Sequence, residues 1–301
     1  MNIKKTKIHF PIIPPKTTSG KISVPEHLPS LHGIQIWVGR RNAGKSVAAT
    51  TLIKKYMDVG AIHRVILVSP TFESNSATFL PLGIDPVEDV IPPSKDAVSK
   101  IKEKLKQEID EWESYHEKKK LYKKFKNNMC KTNSVVLDNP NDLILFDEMG
   151  FFEGEPKWKR KDDSYPTRIY VLCDDVFGSP MLRMGKGQED FTNICIAHRH
   201  QMVSNNIGYG ISVGILTQSY SAIASVPRPV RENCTLLCLF LNSDVKQRQK
   251  IQEELSDIPN LENFMEYWEY ATHKPHGFLT VDMNPSEEKF RFRSQYDEYL
   301  S

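Results

Sequence analysis

Apolar positions along the chain fall into two kinds of pattern. Short, nearly unbroken apolar runs recur at Ile34–Val38 (IQIWV), Val65–Ser69 (VILVS), Tyr170–Cys173 (YVLC), Ile211–Gln218 (ISVGILTQ) and Thr235–Asn242 (TLLCLFLN). Runs of this length, apolar on both faces, predict parallel strands covered by helices on each side. LILF, at 143–146, reads as another strand-like run. Between the runs, the spacing predicts helices over about Lys45–Met57 (stopped by Gly60), Phe191–Met202 and Asp244–Leu255, with SYSAIASVPRPVREN as a helix broken by Pro227 and Pro229. The expected fold is therefore α/β, with a central, mostly parallel sheet and helices on both faces.

Three stretches depart from this alternation. Residues 1–31 are rich in Lys, Pro and Ser and predict a lead-in or arm, with IHFPII as an edge strand or a segment that packs on another subunit. From Ser94 to about residue 130 a helical spacing takes over. Val98, Ile101, Leu105, Ile109, Trp112 and Tyr115 form one apolar face, and Lys118, Lys119, Lys120, Lys123, Lys124 and Lys126 follow. This reads as a helical insertion into a core spanning 32–255. Residues 256–301 form a C-terminal extension, with an aromatic segment at Asn263–His273 and a terminal hairpin and tail.

The junction between the first strand and the first helix reads Gly39-Arg40-Arg41-Asn42-Ala43-Gly44-Lys45-Ser46. A glycine-rich turn here curls its amides around phosphate oxygens, and the helix presents its positive end to them. Gly39, Asn42, Ala43, Gly44, Lys45, Ser46 and Val47 are the expected nucleotide-binding residues. Lys45 reaches the terminal phosphates, and the Ser46 hydroxyl holds Mg2+. ATP and Mg2+ are the cofactors that this motif implies.

Bulk properties narrow the setting. The 301 residues carry a net charge of only +2, so nucleic-acid contacts must come from local basic patches. No apolar run reaches the roughly 18–20 residues of a membrane span, and no signal-peptide pattern opens the chain. The five cysteines, Cys130, Cys173, Cys195, Cys234 and Cys238, read as reduced core thiols of a cytosol-like compartment. Cys234 and Cys238, four apart in one strand, are expected to share a face.

A hydrolase of this kind needs a strand-end acid for the metal and a second acid to orient water. Two pairs qualify by composition, Asp147-Glu148 and Asp174-Asp175. Asn139-Pro140-Asn141-Asp142 before the first pair suggests a hairpin turn. After the second pair comes one helix and then a strand ending in Gln218, well placed to sense the γ-phosphate. The preferred set is Asp174 at the metal, Asp175 as base and Gln218 as sensor, with Asp147-Glu148 as the alternative. His198 and His200 flank Arg199 and would diverge by roughly 200° on a helix, which disfavours a shared metal; His198 is read as either structural or bonded near the acids. His273 and His276 suggest no chemistry.

From Ile34 to Asn242, the phosphate loop, the Asp-Asp-ended strand, the Ala-His-Arg-His segment, the Gln-ended strand and PRPVREN resemble the DNA-packaging ATPases of poxviruses, giant DNA viruses and virophages, within the FtsK–HerA group of P-loop translocases. The resemblance implies an Mg-dependent ATPase that works as a homo-oligomeric ring. It implies packaging of double-stranded DNA through mostly non-specific contacts, capsid or portal-vertex partners, and a place in the virion or the host cytoplasm. It also implies an arginine that completes a neighbour's site. Arg231 is preferred for that role, followed by Arg199 and Arg228, while Arg40 and Arg41 meet the nucleotide or a subunit boundary. The long insertion and the second acidic pair depart from the pattern. The rival readings are a nucleotide kinase or GTPase-like switch, another DNA translocase, or a scaffold protein with a decayed site. The guanine-reading string that a switch would need is not apparent, and the intact Lys45 and Ser46 argue against decay.

Overall fold

In a computed structural model, residues 22–132, 141–183, 185–221, 225–259 and 261–300 are described. The IHFPII segment lies outside them. In chain order the elements are β1 (Ile34–Val38), α1 (Lys45–Asp58), β2 (Arg64–Val68), α2 (Phe72–Phe79), β3 (Val90–Ile91), α3 (Ala97–Thr132), α4 (Asn141–Glu148) and β4 (Ile169–Asp174). They continue with α5 (Lys186–Ile196), β5 (Val203–Ser204), β6 (Ile207–Gly208), β7 (Ser212–Thr217), α6 (Arg228–Glu232) and β8 (Cys234–Phe240). The chain closes with α7 (Val245–Glu254), α8 (Phe264–Ala271), β9 (Phe278–Asp282), β10 (Phe292–Ser294) and β11 (Glu298–Leu300).

Nine strands form one sheet in the order β11-β10-β9-β8-β1-β7-β4-β2-β3. From β8 to β3 the pairings are parallel, and β9, β10 and β11 add an antiparallel meander beside β8. This is the mixed α/β architecture expected. The meander carries the predicted terminal hairpin one strand further and makes it part of the same sheet. Alternation within strands divides the core. Ile36, Val68, Val171, Ile215 and Leu237 face one layer with α3, α5, α7 and α8. Trp37, Leu67, Leu172, Leu216 and Leu236 face the other with α1 and the segment around Ile22.

A buried polar chain ties β1, β4 and α1 together. Tyr170 Oη donates to Gln35 Oε1 (2.7 Å), Gln35 Nε2 donates to Tyr56 Oη (3.1 Å), and Tyr56 Oη donates to the Pro29 carbonyl (2.9 Å). Tyr170 reaches Gln35 by crossing Gly214 of the intervening strand, where a Cβ would stand 2.7 Å from its oxygen. Glycine in mid-strand is costly in entropy, and here it makes room for a tyrosine to span three strands.

Three expectations are corrected. Residues Asn141–Glu148 form helix α4, so LILFDE is not a core strand, and Asn141 and Asp142 open a helix instead of closing a turn (Asn139 and Pro140 lie outside the described residues). A short apolar run does not distinguish strand from helix by itself. Here Phe146 is buried against Phe125 and Phe151, while Ile144 and Leu145 are exposed. Cys234 and Cys238 face opposite layers. The pairing with β1 skips Thr235, and that bulge changes the parity of the strand. Finally, α5 starts and ends earlier than predicted, and a short 3-10 turn, His198–His200, follows it.

The apolar face predicted for α3 is buried at every position from Val98 to Tyr115. Arg64 of β2 anchors this helix through Glu108 (2.7 Å) and also pairs with Asp89 (2.6 Å). Farther along, Lys118, Lys120, Lys123, Lys124 and Lys126 are exposed, whereas Lys119 is engaged with Asp163.

Candidate nucleotide site

The ends of β1, β7 and β4 lie side by side at one edge of the sheet, because all three run parallel. Whatever follows each strand therefore converges on one place. After β1 comes the phosphate loop. The Gly39 amide donates to the Thr217 carbonyl (3.1 Å), and a Cβ on Gly39 would lie 2.7 Å from Phe240 Cβ. Asn42 (φ 61°) and Gly44 (φ 99°) take left-handed conformations that curl the loop before α1 starts at Lys45. The amides of that first turn have no intrahelical partner, and with the helix dipole they make a receptor for anions.

Lys45 Nζ donates back to the carbonyls of Gly39 (2.8 Å) and Arg40 (2.9 Å), holding the loop closed around its own ammonium. Burial lowers its pKa, and the carboxylates of Asp174 and Asp175 oppose that shift. Asp174 ends β4 and is buried, and the Ser46 side chain opposes the upward shift of its pKa. Asp175 follows at φ 50°, exposed, and accepts from Gln218 Nε2 at 3.4 Å. Gln218, directly after β7, is exposed and so avoids the cost of burying an amide. Together these groups line a cleft of about 620 Å³, within the range of small-molecule sites.

The cleft brings together Asn42, Ala43, Gly44, Lys45, Ser46, Val47, Asp174, Asp175 and Gln218, along with Arg41. Gly39 stands behind it as the carbonyl under Lys45. Asp147 and Glu148 are not among its lining residues; they sit exposed on α4. Arg231 also lies elsewhere. Its Nε and Nη2 each sit 2.9 Å from Glu254, its Nη1 donates to the Val226 carbonyl (2.6 Å), and its guanidinium covers Tyr220. Arg228 and Arg199 are exposed, and Arg40 bonds Ser243. His198 is buried between the carbonyls of Cys195 (2.6 Å) and His32 (3.3 Å), a structural placement away from the acids.

Among solved structures, the chain is similar to the genome packaging NTPase B204 of Sulfolobus turreted icosahedral virus 2, in its complex with AMP. The TM-score is 0.43 at 13% identity, covering 84% of this chain and 93% of that one. It is also similar to the pCW3 conjugation coupling protein TcpA, monomer form with ATPγS (TM-score 0.41, 15% identity, 90% and 68% covered). A third is the cytoplasmic domain of the Thermomonospora curvata type VII secretion ATPase EccC (TM-score 0.40, 14% identity, 95% and 30% covered). No protein-family profile and no curated protein matches the sequence.

The donor set suits Mg2+. Ser46 and Asp174 offer two hard oxygens lining the same cleft, and this ion usually takes one or two protein oxygens and completes its shell with phosphates and water. Among the described residues no cluster of three or more His, Cys, Asp or Glu forms a site that would hold a metal alone.

Burial and the neighbouring Asp175 push the Asp174 carboxyl up to about 6, against the opposing pull of Lys45 and Ser46. A carboxyl whose folded pKa lies above its unfolded value loses stability as pH rises from about 4 to about 6, and the loss persists above that window. Without nucleotide or metal, Asp174→Asn is therefore expected to stabilise the protein at pH 8 by up to roughly 3 kcal/mol and to gain almost nothing at pH 4. Thermal unfolding at the two pH values checks this, and an equal gain at both refutes it.

Two parts of the lining were not singled out in the sequence. Ser74, Asn75 and Thr78 of α2 join Thr71 to form a polar wall. Their signal was a run of small polar residues directly after a strand end. His276 comes from the loop before β9 and has no such signal.

Proposed function

We propose that this chain is an Mg-dependent ATPase that drives double-stranded DNA through a homo-oligomeric ring, as a viral genome-packaging motor. The observation that carries the reading is the insertion of β7 between β1 and β4. It delivers Gln218 between the phosphate loop and the acidic pair. In this reading the amides of the loop and first turn grip the phosphates. The Lys45 ammonium exchanges two loop carbonyls for phosphoryl oxygens, where charge builds during transfer. Ser46 and Asp174 would hold Mg2+, which supplies further charge neutralisation when bound. Asp175 orients water, and Gln218, hydrogen-bonded to it, links the base to the γ-phosphate position.

An arginine that reaches into a neighbouring site must be free of its own subunit. Glu254 holds Arg231 and Glu232 pairs with Arg228 (2.7 Å), which leaves the exposed Arg199 for that role. Packaging, with capsid or portal-vertex partners and a virion or viral-factory setting, rests on the resemblance carried by residues 34–242. No helix among the described residues is long and apolar enough to cross a membrane.

DNA contacts are assigned to the exposed lysines of distal α3, which meet backbone phosphates without reading sequence. The test is ATP hydrolysis with and without long duplex DNA, together with DNA affinity across a salt series. Duplex DNA is expected to stimulate hydrolysis, and the triple change Lys120→Ala, Lys123→Ala, Lys124→Ala to flatten the log–log salt slope by about 2–3. Equal hydrolysis with and without DNA, and no ring formed on it, would remove the motor.

A further inference from the structure

The site has a component from the far end of the chain. β9 is antiparallel to β8, with Phe278 opposite Phe240, so β9 begins at the same sheet edge at which β1, β7 and β4 end. Two residues before that start, next to the buried Gly277, is His276. It lines the cleft, and its Nδ1 lies 3.3 Å from the Ala43 carbonyl. Its ring packs on Gly44, where a Cβ would stand 3.4 Å from both Cβ and Nδ1 of the histidine. In the sheet, β7 and β4 flank β1 on one side, while β8 and β9 lie on the other. The phosphate loop thus has the acids and Gln218 on one flank and His276 on the other.

The presenting loop is held from behind. A Cβ on Gly277 would come within 2.3 Å of the Ala271 carbonyl, so the chain passes flush against the end of α8. Trp268 of α8 donates to the Phe240 carbonyl (3.1 Å), and the Phe240 ring packs tilted against that of Phe278 (centroids 4.8 Å apart). His276 itself takes φ 62°, a left-handed conformation uncommon outside glycine but more accessible to histidine than to most side chains. The Ala43 carbonyl only accepts, so Nδ1 carries a hydrogen; a phosphate oxygen likewise only accepts, so the contacting species is the imidazolium, whose Nε2–H is the second donor.

Building on the nucleotide reading above, we propose that His276 is a nucleotide-contacting residue, bridging the Ala43 carbonyl through Nδ1 and a phosphate oxygen of the bound nucleotide through Nε2. It makes the C-terminal meander part of the nucleotide site. Replacing it weakens binding and leaves the hydrolytic groups in place.

His276→Gly removes the ring and accepts the same backbone conformation. His276→Asn tolerates that conformation and keeps a shorter donor. Titration with a fluorescent ATP analogue is expected to show Kd raised about tenfold in the glycine variant and less in the asparagine variant, the scale of one charge-assisted hydrogen bond. In unmodified protein, ATP is expected to shield His276, and not the exposed His273, from a histidine-acylating reagent mapped by mass spectrometry. If wild type binds the analogue while the glycine variant binds equally well, or His276 reacts equally with and without ATP, the inference falls and the nucleotide reading stands. If wild type does not bind the analogue, both fall.

Discussion

Lys45→Ala is expected to lower ATP hydrolysis by about 100- to 1,000-fold, the scale of losing one charge-stabilising donor from a transition state. Neither Arg40 nor Arg41 is placed to substitute. Arg40 turns to Ser243, and Arg41 is an exposed side chain at the mouth of the cleft. Only Lys45 has its ammonium inside the loop, against the carbonyls of Gly39 and Arg40. Burial lowers its pKa, and two carboxylates counter that shift. The apo fold should survive, because the loop's curvature comes from Asn42 and Gly44 and its anchor from the Gly39–Thr217 hydrogen bond. The measurement is steady-state phosphate release beside thermal unfolding of both proteins. Undiminished hydrolysis would mean that this loop does not engage the phosphates.

Much of this arrangement was legible because its cause is local. A strand covered on both faces must be apolar at consecutive positions, so IQIWV, VILV and TLLCLF announced themselves. The phosphate loop was legible for the same reason, since its shape is written in glycines and its charge in one lysine. What escaped detection depended on contacts distant in sequence or on backbone parity. LILF becomes a helix through Phe125, 21 residues earlier, and through Phe151. Thr235 slips the register of β8 and sends Cys238 away from the face of Cys234. His276 reaches Ala43 across 233 residues, by way of a β8–β9 pairing that no local spacing encodes.

The choice between the two acidic pairs gives the other large effect. Asp175→Asn is expected to lower kcat by about 100- to 10,000-fold, the usual contribution of a positioned base. Asp147→Asn and Glu148→Gln should leave it within about twofold. Asparagine is the informative replacement at 175, because that residue sits at φ 50° and asparagine tolerates the left-handed region better than most side chains. The backbone between Asp174 and Val176 then stays put, and the loss reports on the carboxylate alone. Asp174 remains beside Ser46, so nucleotide binding in the presence of Mg2+ should change far less than turnover. That split separates a base from a binding residue. Asp147 and Glu148 ride on α4, whose buried face points Phe146 into an aromatic cluster with Phe125 and Phe151. Single-turnover hydrolysis beside equilibrium nucleotide binding decides the matter. A collapse of turnover in the α4 variants, with Asp175→Asn near wild type, would require α4 to move onto the phosphate loop in the working assembly and would strip β4 of its catalytic role.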